Sequence, residues 1–212
     1  TVQATDADAG SVLSYSLTGG ADAAKFSINT ATGVLSFLSS PNYEVPDDAG
    51  ADHVYDLIVQ VSDGSLTDTQ TLAISLTNVN EAPVITSDGG GASASLSVAE
   101  NQTVITSLSA GDVDAGSTLT YSLVGGTDAA KFSIDASAGA LSFLVAANFE
   151  VPDDAGADHV YDVNVQVSDG SLTATQAIAV TVTAVNDNTP AITSGSAFGV
   201  AENTTAVTTV TA

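Results

Sequence analysis

The sequence has no cysteine, methionine or tryptophan, and its only basic side chains besides two histidines are Lys25 and Lys131, set against 25 acidic residues. Without cysteine, neither disulfides nor thiolate metal sites can stabilise the chain, and hard oxygen donors are the metal chemistry that remains. A formal net charge of −23 repels nucleic acid and anionic membrane surfaces, which leaves cations as the natural partners. No apolar run reaches the ~18 residues of a membrane-spanning helix, and no leader pattern opens the chain, so direct membrane insertion is not expected of these residues. The charge alone would suit a disordered acidic tail, but 44% hydrophobic residues supply the material for a packed core.

What is present is a repeat. Glu44 to Asp56 reads EVPDDAGADHVYD and recurs unchanged as Glu150 to Asp162, an offset of 150 − 44 = 106. The same offset relates Asp6 to Asp112, Lys25 to Lys131, Asp63 to Asp169 and Asn80 to Asn186. A catalytic centre is rarely duplicated in near-identical neighbours, whereas spacers, stalks and multivalent binders commonly are. The run SLSVAEN containing Glu100 returns near the C-terminus as GVAEN with Glu202 and has no counterpart ahead of Thr1. The sequence therefore reads as an excerpt of a longer polypeptide. Residues 1–83 are expected to form a repeat lacking its first strand, 84–190 a complete repeat, and 191–212 the first strand or strands of a third.

Alternation with period two dominates each copy. Tyr55, Leu57, Val59 and Val61 face one way and Asp56, Ile58, Gln60 and Ser62 the other, and Tyr161, Val163, Val165 and Val167 repeat the pattern. After a Ser-Asp-Gly turn, Leu72, Ile74 and Leu76, then Ile178, Val180 and Val182, predict the second arm of an antiparallel hairpin. Further strands are predicted at Leu13–Leu17, Phe26–Ile28, Leu35–Phe37 and Leu96–Val98, with at most a single helical turn at Ala21–Lys25. About seven short strands per copy, separated by Gly, Asp and Ser turns, describe an all-β chain of tandem immunoglobulin-like, seven-stranded Greek-key β-sandwiches. Short linkers, Asn78 to Pro83 and Ala184 to Pro190, imply modules stacked end to end.

Acidic residues fall at strand ends and linkers. Glu100 closes the Leu96–Val98 strand, Glu150 lies in Asn-Phe-Glu, Asp112 and Asp114 in Asp-Val-Asp, and Asp169 in Val-Ser-Asp-Gly. A halophilic surface would scatter its carboxylates, whereas a metal site gathers them at fixed positions. Over the whole chain this set resembles the cadherin repeat, in the variety common in giant bacterial surface and secreted adhesins. The resemblance implies calcium ions (Ca2+) held where successive repeats meet. At a central junction it implies Glu44, Asn80 and Glu81 with Asp112, Asp114 and Asp169 as ligands; at a C-terminal one, Glu100, Glu150, Asn186, Asp187 and Asn188. Asp6, Asp8 and Asp63 would face a preceding repeat. The chain departs from the family linker Asp-x-Asn-Asp-Asn-x-Pro: its first Asp is Asn78 or Ala184, and the central linker carries Glu81. Asn42 and Asn148 likewise replace an Asp two residues before the glutamate. Ligand charge is reduced at each junction.

Other motifs read more plainly. Asp6-x-Asp8-x-Gly10 starts like an EF-hand loop, but its twelfth position is Leu17, or Leu123 in the second copy, where a bidentate Glu is required. Asp47, Asp48 and Asp52 are expected to form a solvated loop, His53 and His159 to be structural, and Tyr15, Tyr55, Tyr121 and Tyr161 to belong to the core. Lys25 and Lys131 are each expected to pair with a surface carboxylate. Asn101-Gln-Thr and Asn203-Thr-Thr match the short glycosylation pattern. The functional expectation is a non-catalytic, calcium-stiffened extender outside the cell, whose partners are calcium and its neighbouring repeats. The alternatives are a binding module for a like repeat or a glycan, and an accessory spacer of an extracellular enzyme.

Overall fold

The structure is a computed structural model and describes residues 1–194, 196–197, 199–206 and 209. The fold is all-β, in the form of tandem β-sandwiches. Contacts divide the chain into two units, one made of Thr1–Pro83 with Asp112–Thr118, the other of Val84–Gly111 with Leu119–Ala212.

The first unit holds β1 (Ser14–Gly19), β2 (Phe26–Ile28), β3 (Leu35–Phe37), β4 (Val54–Ser62) and β5 (Thr67–Ser75). β1, β4 and β5 form one antiparallel sheet, and β2 pairs with β3. The hairpin places Tyr55 opposite Ile74 and Leu57 opposite Leu72, so the alternating apolar positions of both arms share a face. Tyr55 and Leu57 are fully enclosed and pack with Phe26, whose ring lies 4.2 Å from that of Phe37. Between β1 and β2 the chain makes one 3-10 turn at Ala23–Lys25.

The second unit holds β6 (Val84–Ile85), β7 (Ser93–Ala99), β8 (Val104–Ser107), β9 (Ala110–Gly111), β10 (Thr120–Gly125), β11 (Phe132–Ile134), β12 (Ala140–Phe143), β13 (Val160–Ser168) and β14 (Thr173–Thr183). One sheet runs β10-β13-β14-β7 and a second β11-β12-β8, with β6 and β9 paired separately. Seven strands thus lie in the two main sheets. Tyr161, Val163, Val165 and Val167 of β13 and Ile178, Val180 and Val182 of β14 face Phe132, Leu141 and Phe143 across the core. Enclosing each such side chain is worth about 1.5–3 kcal/mol. β7 lies parallel to β14, with Leu96 opposite Val180 and Val98 opposite Val182. Alternation located that strand, but alternation carries no information about its parallel partner.

Two recurring details fix the chain entering the core. Gly20 and Gly126 have φ of +99° and +105°, and a Cβ there would fall 2.3 and 2.4 Å from the carbonyl oxygens of Asp56 and Asp162. Beside them, Asp22 and Asp128 are almost wholly enclosed, and each accepts two backbone N–H bonds across the structure. Asp22 takes those of Ala49 and Asp56, and Asp128 those of Ala155 and Asp162.

In the acidic loop Asp47 and Asp52 are exposed as expected, but Asp48 is not. Asp48 is 6% exposed and accepts N–H bonds from Asp52 and His53; Asp154 repeats this with Asp158 and His159. Burial alone would push the Asp48 and Asp154 carboxyls up, but the backbone donors outweigh it and hold both below the usual range. Asp47 pairs with Lys25 at 2.8 Å and accepts the Tyr55 hydroxyl at 2.7 Å, and Asp153 does the same with Lys131 and Tyr161. A loop reads as solvated from its charge, yet its backbone needs acceptors, and Asp48 and Asp154 supply them. His53 and His159 are structural: each stacks on an aromatic ring, Tyr43 or Phe149, and its Nε2 lies within hydrogen-bond range of that residue's carbonyl oxygen.

Beyond β14 the described residues form no strand. Of the strand expected within 191–212, Phe198, Val207, Thr208 and Val210–Ala212 lie outside the described residues, as does Gly195.

Candidate metal centre

In the second unit, Glu100, Glu150 and Asp187 each place a carboxylate oxygen within 4.8 Å of the others. Glu100 arrives there because β7 ends beside β14, where its own N–H bonds the carbonyl of Thr183 at 2.9 Å. It is 1% exposed, and both side-chain oxygens are occupied: Oε1 accepts the N–H of Val185 at 2.7 Å and Oε2 that of Phe149 at 2.8 Å. Those two donors hold its carboxyl below the usual glutamate range despite burial. Asn101, in the left-handed region at φ 63°, turns its amide to donate to Asp187 Oδ2 at 2.7 Å, while Asn188 donates to Oδ1 at 2.8 Å. Asn186 is exposed beside them.

In the first unit, Glu44, Glu81 and Asp114 make a second group within 4.8 Å. Asp114 is 9% exposed; Oδ1 accepts the Asn78 amide at 2.6 Å and Oδ2 the N–H of Glu81 at 2.8 Å. Its own N–H donates to Asp112 Oδ1 at 2.9 Å, the turn geometry that Asp8 and Asp6 repeat at 2.8 Å. Two oxygens are left over. Glu44 Oε1 and Asp112 Oδ2 are enclosed and have no hydrogen-bond donor. Partial burial, then the charges of Glu44, Asp114 and Asp112, push the Glu81 carboxyl up. The chain's two lysines cannot relieve this, since both are paired with Asp47 and Asp153.

The two groups share two equivalent positions. Glu44 corresponds to Glu150 and Glu81 to Asp187, both at the offset of 106, while the third member is Asp114 in one and Glu100 in the other. Enclosed anionic oxygens without donors are costly, and a divalent cation is the species that satisfies several at once. The ligand atoms these groups offer are carboxylate oxygens, which suit a hard ion such as calcium, with its six to eight oxygen ligands, better than zinc with its preference for Cys and His.

The other residues singled out from sequence lie elsewhere. Asp6, Asp8 and Asp63 line one cavity of about 270 Å³ in the first unit, together with Asp68. Asp63 Oδ1 accepts the N–H groups of Ser65 and Leu66 at 2.7 Å, and Asp169 those of Ser171 and Leu172 at 2.6 Å, so both close the turn of their hairpin. Asp169 belongs to neither carboxylate group. Asn80 is exposed and donates to the carbonyl of Glu81 at 3.1 Å. Asp68 had no sequence signal, because its counterpart at the repeat offset is Ala174.

Residues 80–183 match the sequence family described as Bacterial Ig domain. The chain is 34% identical over 200 residues to protocadherin Fat 1 of Homo sapiens, covering 89% of this chain and 4% of that protein. The crystal structure of human CDH23 EC21-23 superimposes with a TM-score of 0.59 at 21% identity, over 99% of this chain and 76% of that one, a likeness of fold. The crystal structure of mouse Cadherin-23 EC22-24 gives 0.52 at 27% identity, over 85% of this chain and 56% of that one. The chain thus spans only a small part of the curated relative it matches.

Proposed function

We propose that this chain is a calcium-stiffened extender of a bacterial cell-surface or secreted adhesin, with no catalytic role. The observation that carries this reading is the enclosed, donorless pair Glu44 Oε1 and Asp112 Oδ2 beside Glu81 and Asp114. Asp112 and Asp114 are the counterparts of Asp6 and Asp8, so the group draws ligands from both sequence copies. An ion bound there ties one copy to the next. Without it, like charges oppose the arrangement and the linker becomes a hinge. The Bacterial Ig domain match of 80–183 supports the bacterial assignment, and similarity to protocadherin Fat 1 supports an extracellular, adhesive setting. No helix among the described residues is long and apolar enough to cross a membrane. Sites of extracellular modules bind calcium at about 10⁻⁴ to 10⁻³ M, which keeps them filled outside cells and empty inside. Small-angle scattering with calcium and after chelation tests the reading. A larger maximum dimension and a stiffer particle are expected with the ion, and identical profiles contradict the stiffening.

A further inference from the structure

The Asn78 amide does at Asp114 what a cation does: it presents positive character to Oδ1 at 2.6 Å, while the N–H of Glu81 takes Oδ2. A carboxylate at position 78 would instead add a further negative group to a cluster that already holds Glu44, Glu81, Asp112 and Asp114, with no lysine free to offset it. Position 184, its counterpart at the repeat offset, is alanine and has no hydrogen-bonding side chain. In the second group the same task falls to different amides, those of Asn101 and Asn188 on Asp187. A neutral donor that caps a ligand oxygen has two consequences. The ligand keeps its orientation when no ion is bound, and the bound state lacks one unit of ligand charge.

We propose that Asn78 is the residue that sets calcium affinity in the first unit, holding Asp114 in its orientation when no ion is bound at the expense of tight binding. This rests on the calcium reading above. An extender tuned in this way releases and rebinds its ion over the concentration range found outside cells while Asp114 stays oriented for the next ion.

The test compares the full 212-residue chain with Asn78→Asp and Asn78→Ala, using calorimetric calcium titration together with thermal melts in chelator and in millimolar calcium. Asn78→Asp is expected to bind calcium about tenfold tighter or more, since ligand charge tunes affinity, and to melt lower than the parent in chelator. Asn78→Ala is expected to melt lower in chelator without that tightening. A purely structural role would lower both melts alike and leave affinity unchanged. Equal affinity in the parent and Asn78→Asp, or an Asn78→Ala melt unchanged in chelator, overturns the inference while leaving the calcium reading intact. Absence of calcium uptake by all three proteins overturns the reading on which the inference rests.

Discussion

The Tyr161 hydroxyl donates to Asp153 Oδ1 at 2.8 Å, and Tyr55 makes the same bond to Asp47 at 2.7 Å. Burial and then this bond push Tyr161 up to about 12, and the bond and then burial take Tyr55 to about 12. A phenol with a raised folded pKa binds its proton more tightly in the native state. Its stabilising contribution is complete below pH ~10 and disappears as pH rises through the folded value. Spectrophotometric titration of the five tyrosines should show two ionising last, near the onset of alkaline unfolding. Replacing Asp153 by Ala should bring Tyr161 back toward the ordinary range.

Glu100 is both a member of a carboxylate group and the acceptor for Phe149 and Val185. Glu100→Ala should therefore destabilise the second unit by about 2–3 kcal/mol even in chelator, because two backbone donors lose a charged acceptor. Denaturant unfolding in excess chelator measures this. An unchanged midpoint there would mean that Glu100 serves only a metal.

Asp128 is 5% exposed and joins the N–H groups of Ala155 and Asp162. Asp128→Ala should cost about 3 kcal/mol, and Asp128→Asn less, since the amide oxygen still accepts. The same ordering is expected at Asp22, and thermal melts with and without calcium should show it equally.

Gly126 has φ +105°, and a Cβ there would meet Asp162 O at 2.4 Å. Gly126→Ala should destabilise the second unit by about 3 kcal/mol or more, combining left-handed strain with a backbone shift. Gly116, at φ +89° with open space around its Cβ position, should tolerate alanine with only the strain cost of about 1 kcal/mol. Urea midpoints of the two variants make the comparison.

Much of the fold was legible because the repeat shows the patterns from Asp6 to Asn80 twice. Tyr55 to Val61 and Tyr161 to Val167 are half-buried strands by alternation alone, and the Ser-Asp-Gly turn pairs them with β5 and β14. Contacts distant in sequence were not legible: the parallel seat of β7 on β14 and the reach of Asp128 to Ala155 leave no periodic trace. At the site, the resemblance to the cadherin repeat marked Glu44, Glu81 and Asp114 but left open which oxygens would be free. Asp114 is capped by Asn78 and Glu81, whereas Asp112 keeps an enclosed oxygen without a donor. Asp48 shows the same limit, since charge in a loop does not reveal whether backbone donors converge on it.

The most direct test of the calcium account is isothermal titration of the two-repeat chain with Ca2+, alongside Glu44→Gln and Asp112→Asn, whose side chains are nearly isosteric with the originals. The account requires saturable uptake by the parent near 10⁻⁴ to 10⁻³ M and binding at least about tenfold weaker in each variant, in line with lost ligand charge. Heats of dilution alone from the parent, or variants that bind as it does, would contradict it.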